Sequence, residues 1–200
     1  MELAILLFDG VEELDFVGPY EVLATAADFE PDLSVSLRTL DEVERVTASH
    51  GLRVEPDGPL DAVDPNVVVV PGGGWNDRSD AGAWAEAERG AIPDAIARLH
   101  GDGATVAGVC TGGMLIARAG LTEGRPAITH AGAVDDLRAS GAEVIDARVV
   151  DDGDVVTAGG VTAGLDLALH LVGREFGEDL AERIAGYIEY ERHGRVAVSA

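Results

Sequence analysis

The sequence predicts an α/β fold built on a mostly parallel sheet with helices on both faces. Short aliphatic runs alternate with helix-like runs along the chain. The strand-like runs are almost continuously apolar instead of alternating with polar residues. Each is bounded by Gly, Pro or Asp. Parallel strands need crossover connections, which cover both sheet faces with helices and leave no side of a strand wet.

The elements follow in order. Leu3–Phe8 is the first strand, and Pro19–Ala27 a helix with Pro in its first turn, where the missing N–H has no helical partner to lose. Strands Leu33–Thr39 and Val67–Val70 precede a helical run, Ala83–His100, interrupted near Pro93. Thr105–Val109 is the next strand; beyond Cys110 a helix runs through Ala119, capped by Gly120. Ala133–Ser140 reads as a helix ending at Gly141. Val149–Val150 and Val155–Thr157 flank Asp151-Asp152-Gly153-Asp154, a hairpin signal. Helices Thr162–Phe176 and Asp179–Tyr190 close the chain.

Two hundred residues, 46% of them hydrophobic, suit one domain over residues 1–200 with a sizeable core. Aromatics make up 4%, so Val, Leu, Ile and Ala must build that core. The apolar start has no basic flank and meets Asp9 at once, unlike a signal peptide, and no run is long enough to span a bilayer. The expected setting is soluble and cytoplasmic.

Charge separates this chain from nucleic-acid and membrane-surface binders. There are 37 acidic residues against 14 basic ones, a formal charge of −23, and every basic residue is Arg. Such a field repels phosphate backbones and anionic lipid. Two readings account for the acidity: ordinary solubility, or a halophilic cytosol in which concentrated salt screens self-repulsion. The absence of Lys agrees with the second, because its long alkyl stem exposes apolar surface that concentrated salt makes costly.

The single cysteine rules out an internal disulfide and a multi-cysteine metal site, and no metal or cofactor is expected. A lone Cys is often an inert core residue. Here Gly108-Val109-Cys110-Thr111-Gly112 joins a strand to a helix, the setting of a nucleophile elbow, and a structural Cys needs no glycine on both sides. The following helix N-terminus is expected to stabilise a thiolate.

Two other segments end strands at the same carboxyl edge. Pro71-Gly72-Gly73-Gly74 is either a flexible turn or the source of an exposed amide, Gly73, that completes an oxyanion-type hole with the Thr111 amide. Glu12–Pro19 contains Asp15 between Leu14 and Phe16. A carboxyl partly buried beside a thiol can hold a proton and donate it. His130 follows the run Ala127–Thr129 and is either a base at this edge or a histidine satisfied locally. His50, His100, His170 and His193 lack supporting context, and His170 reads as packing. Thr162 reads as a helix cap, with Asp166 close behind it and neither assigned to catalysis.

Gly10–Glu21, Pro71–Gly73, Val109–Gly113 and Thr157–Val172 together resemble the DJ-1/PfpI superfamily. The stretches ELDFVGPYEVL, VCTGGMLIARAGL and AGGVTAGLDLALHLV are most similar to isocyanide hydratases, and also to the amidotransferase-like domain of AraC-type regulators. The resemblance implies a flavodoxin-like three-layer sandwich of the class I glutamine amidotransferase-like kind, and a homodimer. It implies Cys110 as nucleophile, Asp15 as the acidic residue contacting it, and Gly73 and Thr111 as oxyanion-pocket amides. PfpI-type peptidases place a His directly after the nucleophile; Thr111 stands there instead, which argues against proteolysis.

The expected activity is hydration of an isocyanide, a small-molecule substrate, to an N-substituted formamide. Glyoxalase- or deglycase-like action on reactive carbonyls is one alternative. A noncatalytic redox sensor or ligand-binding module is the other.

Overall fold

A computed structural model describes residues 1–199. Its elements are β1 (Glu2–Leu7), α1 (Glu13–Ala27), β2 (Ser34–Thr39), β3 (Val46–Thr47), β4 (Arg53–Val54), β5 (Val67–Val70), α2 (Ala83–Arg89), α3 (Ala91–Gly101) and β6 (Thr105–Gly108). There follow α4 (Gly112–Arg118), β7 (Pro126–Ala127), α5 (Val134–Ala139), β8 (Glu143–Val144), β9 (Val149–Asp151), β10 (Val155–Ala158), α6 (Ala163–Phe176), α7 (Glu178–Tyr187) and β11 (Val196–Val198).

Seven strands form the central sheet in the order β11-β9-β10-β6-β5-β1-β2. Among the described residues, the one antiparallel pairing within this sheet is β9–β10, as the Asp-Gly hairpin signal predicts. Helices α1, α6 and α7 pack together in one layer, and α2, α3, α4 and α5 in another. The result is the flavodoxin-like sandwich that the sequence pattern and the resemblance led us to expect. Burial on both faces explains the apolar strands: Val67, Val68, Val69 and Val70 are all essentially inaccessible.

The chain leaves β1 toward β2 on one side, then crosses to β5 and β6 on the other. At such a switch point the loops beyond the strand ends diverge and open a crevice. The segments that follow β1, β5 and β6 carry Asp15, Gly73 and Cys110, the first of these in the opening turn of α1.

Several boundaries differ from expectation. Helix α1 starts at Glu13, six residues before Pro19, which lies inside it. An internal Pro costs the helix one N–H and crowds the carbonyl four residues back. Packing offsets this: Pro19 is buried, and a Cβ on Gly164 of α6 would lie 3.2 Å from its ring, so the two helices meet closely. The expected long helix over 83–100 divides at Gly90, which adopts φ +82°, and Pro93 falls harmlessly in the first turn of α3. The short run before His130 joins β8 in a separate two-stranded ribbon.

Candidate active site

Cys110 occupies the turn between β6 and α4 with φ +55°, a left-handed conformation uncommon for any residue but Gly. Its backbone is held on both sides: its N–H donates to Gly159 O at 2.9 Å, and its carbonyl accepts from Thr129 Oγ1 at 2.8 Å. Of the flanking glycines, Gly112 is a steric requirement and Gly108 is in close contact with its neighbours. A Cβ on Gly112 would lie 1.9 Å from Val70 O, and one on Gly108 would lie 2.8 Å from Ile116 Cδ1. The turn fits because those atoms are missing.

Asp15 lies in the first turn of α1 and is wholly buried. Its Oδ2 accepts the Gly72 N–H at 2.9 Å, whereas Oδ1 has no well-aligned partner. Burial drives its pKa up to about 8, against the opposing hydrogen bonds from Gly72 and the Cys110 thiol; the nearby Glu12 charge adds to the rise. A pKa raised this far favours the protonated carboxyl at neutral pH.

The thiol departs from expectation. Burial and then the Asp15 charge push the thiol up to about 12, against the backbone N–H groups of Val161 and Thr111, which favour a thiolate. The helix N-terminus does not produce a resting thiolate, because desolvation is the larger effect. The resting pair is neutral, SH beside COOH.

Cys110, Thr111, Gly73 and His130 line one cavity of about 270 Å3, together with Glu12, Gly74, Trp75, Asn76, Asp77 and Val161. The structure thus gathers the expected residues at one place, with Asp15 buried beneath. The Gly73 amide is not exposed, however. It donates to Thr111 Oγ1 at 2.9 Å, because the glycine loop approaches so closely that a Cβ on Gly72 would lie 2.4 Å from that hydroxyl.

His130 Nδ1 accepts the Gly132 N–H at 3.0 Å and lies 3.3 Å from Asn76 Nδ2. With Nδ1 accepting, the remaining ring nitrogen, Nε2, lies on the side of Gly160.

Thr162 precedes α6 but makes no side-chain cap; its hydroxyl accepts from Arg148, which also pairs with Asp166 at 2.7 Å. Asp166 further accepts from Tyr190 and from the His193 N–H, so this cluster fastens the C-terminal segment. His170 bonds Asp151 at 2.6 Å, His100 bonds Asp154 at 2.9 Å, and His50 bonds Glu13 at 2.7 Å. Sequence gave no hint of these carboxylate partners, all distant along the chain.

Glu12, Glu13 and His50 offer ligand atoms within 4.8 Å of one another, a donor set that a divalent cation could use. Partial burial pushes Glu13 up, yet bonds from His50 and Ser49 prevail and hold it at about 2. These contacts are complete as an ion-pair web without a metal.

Val161 was not foreseen. Its φ of +32° is strained for a β-branched residue, and its backbone N–H favours the charged form of the Cys110 sulfur. The available signal was its place after β10, a strand adjacent to β6, behind two glycines.

The DJ-1/PfpI family matches residues 1–174. The chain belongs to the DJ-1/PfpI family. An isonitrile hydratase of Pseudomonas putida is 37% identical over 191 residues, covering 95% of this chain and 78% of that protein. A deglycase of Thermococcus kodakarensis is 30% identical over 161 residues, covering 79% of this chain and 89% of the other. Among solved structures of the family, Drosophila melanogaster DJ-1beta superposes with a TM-score of 0.80 at 22% identity, covering 95% of this chain and 98% of that one. Among the described residues, no helix is long and apolar enough to cross a membrane.

Proposed function

We propose that this family member is a cysteine-dependent hydratase that converts an isocyanide, R–NC, to the formamide R–NH–CHO. The observation that carries the reading is a wholly buried Asp15 carboxyl, its pKa raised by burial, set near a thiol on a strained turn. The likeness to the isonitrile hydratase supports it.

The terminal carbon of an isocyanide must gain a proton and a nucleophile together. Asp15 gives its proton to that carbon as the sulfur bonds to it, and receives the thiol proton, leaving the thioimidate R–N=CH–S–Cys110. Water then adds to the same carbon while the nitrogen takes up a proton. Collapse breaks the C–S bond, releases R–NH–CHO and returns the thiol. Atoms balance with one water consumed, and no cofactor is called for.

Val161 N–H and Thr111 N–H stabilise the sulfur as it departs with negative charge. In this reading Thr111 must release the Gly73 amide if that amide is to act as a second donor, and His130 serves as a hydrogen-bond donor.

The test is hydration of an alkyl or aryl isocyanide in molar KCl by the purified protein. Turnover should vanish in Cys110→Ala; equal turnover by both proteins would overturn the reading.

A deglycase-like reading is favoured by the Thermococcus relative. The same thiol would add to a carbonyl carbon and Asp15 would protonate the oxygen, giving a hemithioacetal. Parallel assays with methylglyoxal separate the two. The sensor reading is less well supported, since peroxide oxidation proceeds through a thiolate and burial disfavours one here.

The proposal includes one domain over residues 1–200 and a homodimer, to which the exposed Leu14, Val17 and Tyr20 of α1 offer an apolar strip. It also includes a salt-rich cytoplasm, supported by the charge of −23.

A further inference from the structure

Trp75 borders two cavities. One is the Cys110 cavity of about 270 Å3. The other, about 280 Å3, lies among Trp84, Met114, Ala117, Arg78 and neighbouring side chains. Among the described residues Trp75 alone is common to both linings, so this residue stands between them.

The partition is fixed at both its polar and its apolar side. Nε1–H donates to Asp136 Oδ2 at 2.8 Å, and the ring packs edge-on against Trp84 with centroids 5.1 Å apart and planes at 75°. Only 5% of the residue is exposed. Trp84 is in turn covered by the Arg78 guanidinium, 4.8 Å from its ring centre. A side chain tethered in this way is a wall, not a swinging gate.

Size gives the wall its consequence. Sites for drug-sized ligands span about 300–1,000 Å3, and the Cys110 cavity falls just short of that range. Joined to its neighbour, it would lie within it.

We infer that Trp75 determines specificity by size: it stops the Cys110 cavity short, so that the thiol meets compact substrates. A smaller residue at this position opens the Trp84–Met114 cavity to a bulky apolar substituent. For isocyanides the inference rests on the hydratase reading. For access to the thiol it stands without it.

The test compares alkylation of Cys110, the sole cysteine, by N-ethylmaleimide and by N-(1-pyrenyl)maleimide, followed by intact mass. The ratio of the two rates cancels any change in thiolate fraction. Trp75→Leu should raise the bulky-to-small ratio by about tenfold or more, the scale on which pocket shape discriminates apolar groups. Trp75→Phe should raise it by a smaller factor, and it decides the matter if the Leu variant does not give a cooperative unfolding transition. A folded variant with an unchanged ratio overturns the inference.

Methyl and 2-naphthyl isocyanide, assayed in parallel, should show the same shift in the ratio of their kcat/KM values. A shifted maleimide ratio with neither isocyanide consumed upholds the partition and defeats the hydratase reading. Hydration with both ratios unshifted defeats the partition alone.

Discussion

Thr111 Oγ1 accepts the Gly73 N–H at 2.9 Å, joining the loop after β5 to the turn after β6 across 38 residues. Both groups are buried, so the bond satisfies an amide that water cannot reach. Thr111→Val removes the acceptor while keeping the shape. Leaving that amide unpaired should cost about 1–3 kcal/mol in urea unfolding, whereas Thr111→Ser should cost less because its hydroxyl can still accept. Equal stability of all three proteins would show that the bond is not needed.

Asp15 makes stability depend on pH. Its pKa rises from 3.8 in the unfolded chain to about 8 in the fold, so the folded state retains a proton that the unfolded state has released. Stability should therefore be highest below pH 3.8 as far as this group is concerned, fall through the interval up to about 8, and level off above it. Asp15→Asn keeps an oxygen for the Gly72 N–H and loses the titration. At neutral pH it should gain stability on the order of a few kcal/mol, and the difference from wild type should close toward pH 4. Activity should move the other way, with the wild-type rate falling above about pH 8 and the Asn variant losing turnover at every pH.

The thiol should titrate late. With Cys110 pushed up to about 12, iodoacetamide should react slowly at pH 7 and accelerate only at strongly alkaline pH. Asp15→Asn removes the second-largest cause of that elevation, so its alkylation profile should shift to lower pH. A wild-type midpoint below the free-thiol value of 9.0 would contradict the neutral pair.

Glycines at two positions should respond oppositely. Gly112→Ala places a methyl 1.9 Å from Val70 O and should destabilise by more than about 4 kcal/mol, or prevent folding. Gly186→Ala in α7 meets nothing within 4 Å and should stabilise by about 0.5–1 kcal/mol through helix propensity. Thermal melts of the two variants beside wild type check both signs.

Salt should act on the whole molecule. In dilute buffer 37 acidic groups repel one another with 14 cations to offset them, and molar KCl shortens the Debye length to about 3 Å. The melting temperature should rise by at least about 5 °C between the two conditions. An unchanged melting temperature would favour plain acidity over salt adaptation.

Local patterns made the sheet legible. Val67–Val70 came out to the residue because a buried parallel strand leaves no polar position to blur its ends. Cys110 was legible through its glycines, whose lack of side chains is a local trait with a local cause. The start of α1 was not, because Pro19 carries a strong boundary signal that tertiary packing against α6 overrides. The thiol's environment was not legible for a related reason: a helix terminus can be read along the chain, but the burial that raises the thiol comes from segments far apart in sequence. Val161 and the paired histidines depend on partners far along the sequence, where periodicity carries no information.

β11 completes the sheet with three residues, Val196–Val198, laid against β9, and Arg195 O receives the Arg148 N–H just before them. Arg148 in turn grips Asp166, so the tail works as a clasp on the α6 layer as well as a selvage for the strands. Trimming the chain ahead of Arg195 would bare the hydrogen-bonding flank of β9 and leave it free to recruit a strand from another molecule.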